Sequence, residues 1–168
     1  MRASAQELIE RLGLEPHPKE GGFFREVYRS AQVLDGDAIT SQYGAPRHAG
    51  TAIYYLLTPT TYSHLHRLRS DEIFHFYVGD PCEMLQLHPG GTSERMVIGA
   101  DVLAGERPQV VVPAGSWQGL RLVEGGSVAL HGCTVAPGFD YADYEHGDRD
   151  ALVREWPGEQ ERIVTLTA

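Results

Sequence analysis

"SHLHRLRSDEIFHFYVGD", residues 63–80, decides how the rest of the chain is read. Two short runs flank the turn "RSD", and along an extended strand successive side chains alternate between two faces. His64 and His66 then share one face, with Leu65 and Arg67 on the other. Across the turn, Glu72, Phe74 and Phe76 share a face and Ile73, His75 and Tyr77 take the opposite one. A hairpin with both first-named faces inward brings two imidazoles and a carboxylate together, a donor set that suits Zn, Mn, Ni or Fe(II). Histidines also occur in strands without a metal, held by a backbone or carboxylate hydrogen bond. The spacing alone therefore leaves a metal site and a metal-free pocket both open.

The same strand-and-turn texture extends in both directions. "FFREVYRS", "TAIYYLLT", "CEMLQLH", "RMVIG", "QVVVP", "WQGLRLV" and "SVALHGCTV" are short apolar or alternating runs. "TPTT", "GDP", "HPGGTSE", "PAGS" and "VEGG" separate them, and 19 glycines and 10 prolines are spread along the chain. No helical segment lies between the runs, which excludes a βαβ layout and predicts an all-β sandwich or barrel over about residues 23–136. Ser4 and Glu7 have capping-box spacing and Gly13 can stop the chain, so residues 4–12 are expected as a helix. In the tail, residues 137–168, "APGFDYADYEHGD" has no clear period, and "DRDALVREWP" reads as one or two helical turns with an aspartate cap and a proline stop. The 168 residues suit one domain with a sizeable core.

The formal net charge is −9, and no Lys/Arg run appears, so neither a nucleic-acid backbone nor an anionic membrane surface is an expected partner. The two cysteines, Cys82 and Cys133, are too few for a disulfide-stapled domain. No apolar leader run follows the first residues, and no run reaches spanning length. The expectation is a cytoplasmic protein with reduced thiols.

A second stretch, "VVVPAGSWQGL", places Gln118 five residues after Pro113 across a Pro-Ala-Gly turn. Here the chain resembles the cupin superfamily. The first cupin motif has His-x-His, a turn, a glutamate, six residues and a glycine; His64, His66, Glu72 and Gly79 match it. The second motif has Pro-x-Gly-x-x-His; Pro113 and Gly115 match, and Gln118 stands where the histidine is expected. "LGLEPHPKEGGFFREVYRS", "TAIYYLLT", "HRLRSDEIFHFYVGDP" and "GCTVAPGFDYADYE" further resemble the small, largely uncharacterised RmlC-like cupins. The resemblance implies a single jelly-roll barrel with a pocket inside it, pairing as a homodimer, and His64, His66, Glu72 and Gln118 as the metal-ligand positions. Against that branch, His64 and His131 replace small or apolar residues and Lys19 is extra.

Other residues carry two readings each. Arg25 and Arg29 can hold an anionic group on a ligand, or pair with Glu26 and the acidic tail on a solvated edge strand. Tyr54 and Tyr55 face opposite ways, so one, taken as Tyr55, can enter the pocket as a proton donor or as packing. Phe74 and Trp117 are read as pocket walls, with a dimer edge as the alternative for Trp117. His131 reaches the pocket only if "ALHGC" turns inward; His17 and His48 lie in loop-like stretches and carry no signal; Cys133 reads as a buried small hydrophobe.

Three functions follow from the sequence. The first is a small-molecule-binding cupin resembling a sugar or nucleotide-sugar isomerase or epimerase, with His66 as base, Glu72 as its orienting partner, Tyr55 as acid, and Arg25, Arg29 or Arg47 holding an anion. The second is a metal-dependent oxygenase or hydrolase using His64, His66, Glu72 and Gln118. The third is a non-catalytic binding or storage module.

Overall fold

The computed structural model describes residues 3–167. In chain order the strands are β1 (Glu15–Pro16), β2 (Phe23–Arg29), β3 (Val33–Leu34), β4 (Arg47–His48), β5 (Thr51–Leu57), β6 (Tyr62–Arg67) and β7 (Asp71–Gly79). They continue as β8 (Cys82–Leu87), β9 (Ser93–Ile98), β10 (Gln109–Val112), β11 (Trp117–Leu122), β12 (Ala129–Ala136) and β13 (Glu145–His146). Four helices accompany them: α1 (Ala5–Leu12), α2 (Asp37–Tyr43), α3 (Arg149–Glu155) and α4 (Gln160–Thr165). Each strand run expected from the sequence between residues 23 and 136 is present.

Six strands form one antiparallel sheet in the order β1-β2-β5-β12-β7-β10, five form a second in the order β13-β6-β11-β8-β9, and β3 pairs with β4 as a separate ribbon. The sheets face each other as a jelly roll. Among the described residues no strand pairing joins them, so the barrel is not closed by hydrogen bonds. Between the sheets lies a core of Tyr55, Leu57, Phe74, Met84, Ile98, Val112, Leu120 and Cys133, all buried. Their inward positions follow from the two-residue period of each strand.

The helices cover apolar surface that the sheets leave outside. Leu65, Leu87 and Trp117 on the back of the five-stranded sheet pack against Leu152, Trp156, Ile163 and Leu166 of the tail. Helix α1 lays Leu8, Ile9 and Leu12 against Leu56 and Leu130. Its start is the expected capping box, with Ser4 and Glu7 bonded reciprocally, and Gly13 closes it in the left-handed region. Asp148 caps α3, as the tail sequence predicts. Two short helices went unpredicted: α2, whose start has no side-chain cap, and α4, which follows the proline expected to stop the tail. No described helix is long and apolar enough to cross a membrane.

A close approach dictates the glycine at position 79. Gly79 ends β7 with φ +117°, and a Cβ there would strike the carbonyl of Val128.

Candidate functional site

The site sits at the end of the jelly roll where β7, β12 and β6 come under the segment after β12. Glu72 pairs in register with Val135 on one side and Val112 on the other, which aims its carboxylate between the sheets. Gln118 on β11 lies opposite His66 on β6. The Gln118 side-chain amide donates a short hydrogen bond to Glu72, and the Cys133 thiol lies beside the same carboxylate. Tyr55 points inward too and donates to the Gly21 carbonyl at 2.8 Å. Tyr54 faces out, its ring 6.2 Å from that of Tyr77.

His64 does not join this group. Along β6, Ser63 pairs with Leu120 and His66 with Gln118, so two residues of β6 oppose the single Gly119 of β11. This is a β-bulge, and a bulge breaks the two-residue period that put His64 and His66 on one face. Ser63 and His66 both follow inward partners, Leu65 packs outside, and the His64 ring lies against Tyr62 at 4.5 Å and His146 at 5.3 Å.

In its place stands Glu20, delivered by a loop. The Glu20 carbonyl accepts from His64 N at 2.8 Å, and the chain then turns through Gly21 at φ +87°. A Cβ at Gly21 would strike the Tyr62 carbonyl, so only glycine lets the loop lie this close to β6. Glu20 Oε1 stands 3.6 Å from His66 Nε2 and 3.6 Å from His17 Nε2. The hydrogen bonds assign the tautomers. His66 Nδ1 donates to the His64 carbonyl at 2.7 Å, which leaves Nε2 as a lone pair facing Glu20. His17 Nδ1 accepts from Glu20 N at 2.8 Å, which leaves its proton on Nε2, also toward Glu20. Tyr144 stacks on the His66 ring, centroids 5.2 Å apart.

Burial governs the charges. It pushes the Glu20 carboxyl up to about 8 and Glu72 up to about 7, and the Glu20 charge adds to the rise at Glu72. The same loss of water holds His66 below its usual value, against the opposing pull of Glu72, and lowers His17 to about 4. Burial raises Tyr55 and Cys133 well above their ordinary ranges. Burial thus favours the uncharged forms of the imidazoles and of both carboxyls.

A cavity of about 480 Å³ opens from Glu20 and Glu72 to the surface. Phe24, Ile53, Leu68 and Val135 form its apolar wall, and Phe139, Asp140 and Tyr141 of the tail lie across it. The tail is held there by Phe139 N donating to Thr51 Oγ1 at 2.9 Å and by a buried ion pair, Arg47 with Asp143, at 2.7 and 2.8 Å.

Several expected roles are corrected by this placement. Arg25 donates to the Leu12 carbonyl at 2.9 Å and fastens the end of α1. Arg29 does reach the cavity rim, but both its Nε and Nη2 are bonded to Glu26. Arg47 is buried in an ion pair with Asp143. Phe74 belongs to the core, and Trp117 lies on the far side of the five-stranded sheet with the Arg67 guanidinium 4.5 Å from its ring. His66 is oriented by a backbone carbonyl rather than by Glu72. His131 does turn inward, buried between Phe74 and Phe76, away from the carboxyls. His17 and His48, set aside in the sequence, both line the cavity. The one trace of Glu20 in the sequence is its place directly before the Gly21–Gly22 pair.

The donors do not fit the two-histidine, one-carboxylate metal set. His64 is displaced by the bulge, and Gln118 turns its NH2 to Glu72 while its Oε1 is buried with no hydrogen-bond partner among the described residues. Among the described residues no group of three or more His, Cys, Asp or Glu is placed to hold a metal ion.

Residues 6–147 match the family model described as Cupin superfamily (DUF985). The chain belongs to the cupin superfamily. This cupin is 36% identical to a hypothetical protein from Leishmania major whose structure superposes with a TM-score of 0.87, covering 98% of this chain and 99% of that one. It is 34% identical to protein SO0799 from Shewanella oneidensis, again with a TM-score of 0.87, over 99% and 98% of the two chains. A curated relative, the uncharacterized protein YML079W of Saccharomyces cerevisiae, is 30% identical over 152 residues, 84% of this cupin and 74% of the yeast protein. These relatives carry the fold and no stated reaction.

Proposed function

We propose that this cupin binds a small organic molecule in the cavity and moves a proton on it without a metal, as an isomerase or epimerase does. One observation carries the reading. A buried carboxyl, Glu20, lines a cavity large enough for a small metabolite and faces the free Nε2 lone pair of His66, which stands 3.6 Å behind it outside the lining. His66 is the base, held in the correct tautomer by the His64 carbonyl. Glu20 is the group that can stabilise the imidazolium or pass on a proton once the gap closes around a ligand. Tyr55 is not the acid in this reading, because its hydroxyl is committed to Gly21 and burial keeps its proton on.

The test is solvent exchange. The protein is incubated in D2O with a metabolite mixture, and retained compounds are weighed by mass spectrometry. Deuterium gained on carbon with wild type and not with His66→Ala supports the reading. Retained compounds that never gain deuterium reduce the protein to a binding or storage module. The sugar and nucleotide-sugar version has only the resemblance behind it, since Arg25, Arg29 and Arg47 are all engaged within the chain.

The metal-dependent reading keeps one supporting observation, the unpartnered Gln118 Oε1 beside Glu72, and is tested by metal titration as described below. A cytoplasmic location belongs to the same proposal, supported by two free, buried cysteines.

A further inference from the structure

We propose that the cavity selects an organic cation, an amine or quaternary ammonium compound, over phosphorylated and other anionic ligands. This rests on the cavity being the ligand site, as proposed above, and adds the chemical class of what enters it. Four acidic side chains line the cavity: Glu20 and Glu72 inside, Glu26 and Asp140 toward the rim. The cationic side chain in the lining is Arg29, already bonded to Glu26 at 2.7 and 2.9 Å. An anion entering the cavity would meet the two inner carboxyls, while the guanidinium of the lining is already bonded to Glu26 and the Lys19 ammonium lies outside the lining over Tyr141. A cation would meet those carboxyls and the rings of Phe24 and Phe139, and an aromatic face attracts a cation through its quadrupole. The chain itself illustrates that preference: the Lys19 ammonium stands 5.0 Å from the ring centre of Tyr141 and 5.3 Å from that of Tyr144.

Calorimetric titration near neutral pH tests this with choline and spermidine as cations, glucose as a neutral probe, and glucose 6-phosphate and UDP as anions. The expected result is that a cation binds at least about tenfold more tightly than the neutral and anionic probes. Glu72→Gln should weaken it about tenfold or more, and Asp140→Asn should weaken it less. Tighter binding of glucose or of either anion, no binding of either cation, or cation binding indifferent to both carboxylate substitutions would each overturn the inference. The outcome is separate from the exchange test. Cation binding without deuterium exchange keeps the ligand class and removes catalysis, whereas exchange on a neutral or anionic compound does the reverse.

Discussion

Glu20 Oε1 stands 3.6 Å from Nε2 of His66, although the two residues lie on different elements and the Glu20 loop reaches the histidine only through the turn at Gly21. That relationship, more than the motif histidines, gives the site its proton-transfer character. Glu20→Gln keeps the shape of the side chain and removes its titrating proton. We expect carbon-bound deuterium exchange to fall by about two orders of magnitude in this variant. Nitrogen-15 NMR of the histidine rings should show His66 as the Nδ1–H tautomer in both proteins, and an Nε2–H signal would undo the assignment of the facing lone pair.

His64 is expected to be dispensable for any metal the protein takes up. Calorimetric titration with Zn, Mn, Ni and Fe(II) should give the same affinity for wild type and His64→Ala, because the β6 bulge sends that ring to Tyr62 and His146. A loss above about tenfold, roughly 1.4 kcal/mol, would return His64 to the ligand set. The same titration on His66→Ala separates the metal reading from the metal-free one, since weakened binding there places the ion at the site.

His131 should make the fold acid-sensitive. Its ring is buried, neither nitrogen has a hydrogen-bond partner among the described residues, and burial lowers it to about 4. The unfolded chain takes up the proton below about 6.5, whereas the folded chain resists until about 4. Stability from this group is therefore complete above that window and falls as pH drops through it, by about 3 kcal/mol at most. Urea unfolding of His131→Leu should show a smaller loss between neutral and acid pH than wild type. Equal losses would mean the imidazole finds a partner or water when protonated.

The Arg47–Asp143 pair should be a keystone of the cavity cover. Both side chains are 4% exposed and the contact is bidentate. Asp143→Ala leaves a buried guanidinium without its counter-charge, at a cost of about 3–5 kcal/mol in unfolding free energy. A change below about 0.5 kcal/mol would show that water reaches Arg47 and that the cover is looser than the contacts indicate.

Homodimer formation remains a proposal, supported by half-exposed Tyr28, Tyr77 and Val111 on strands of the six-stranded sheet. Light scattering at micromolar concentration should return twice the monomer mass, and a monomer mass would overturn it.

The strands, the turns between them, the capped α1 and the convergence of His66, Glu72 and Gln118 were legible in the sequence. Each depends on a local rule: a two-residue alternation, a glycine or proline at a turn, a side chain reaching an amide three residues on. Reading His64 by the same alternation failed, because a bulge arises from pairing with another strand and leaves no mark within "SHLHRL". The partners of Arg25, Arg29 and Arg47 were undecided for a similar reason, since an arginine's long side chain takes whichever carbonyl or carboxylate the fold brings within reach. Glu20 and His17 became site residues only when their loop folded over β6 and water was removed from around them. Desolvation sets how these groups hold their protons, and it belongs to the packed molecule, not to any stretch of the chain.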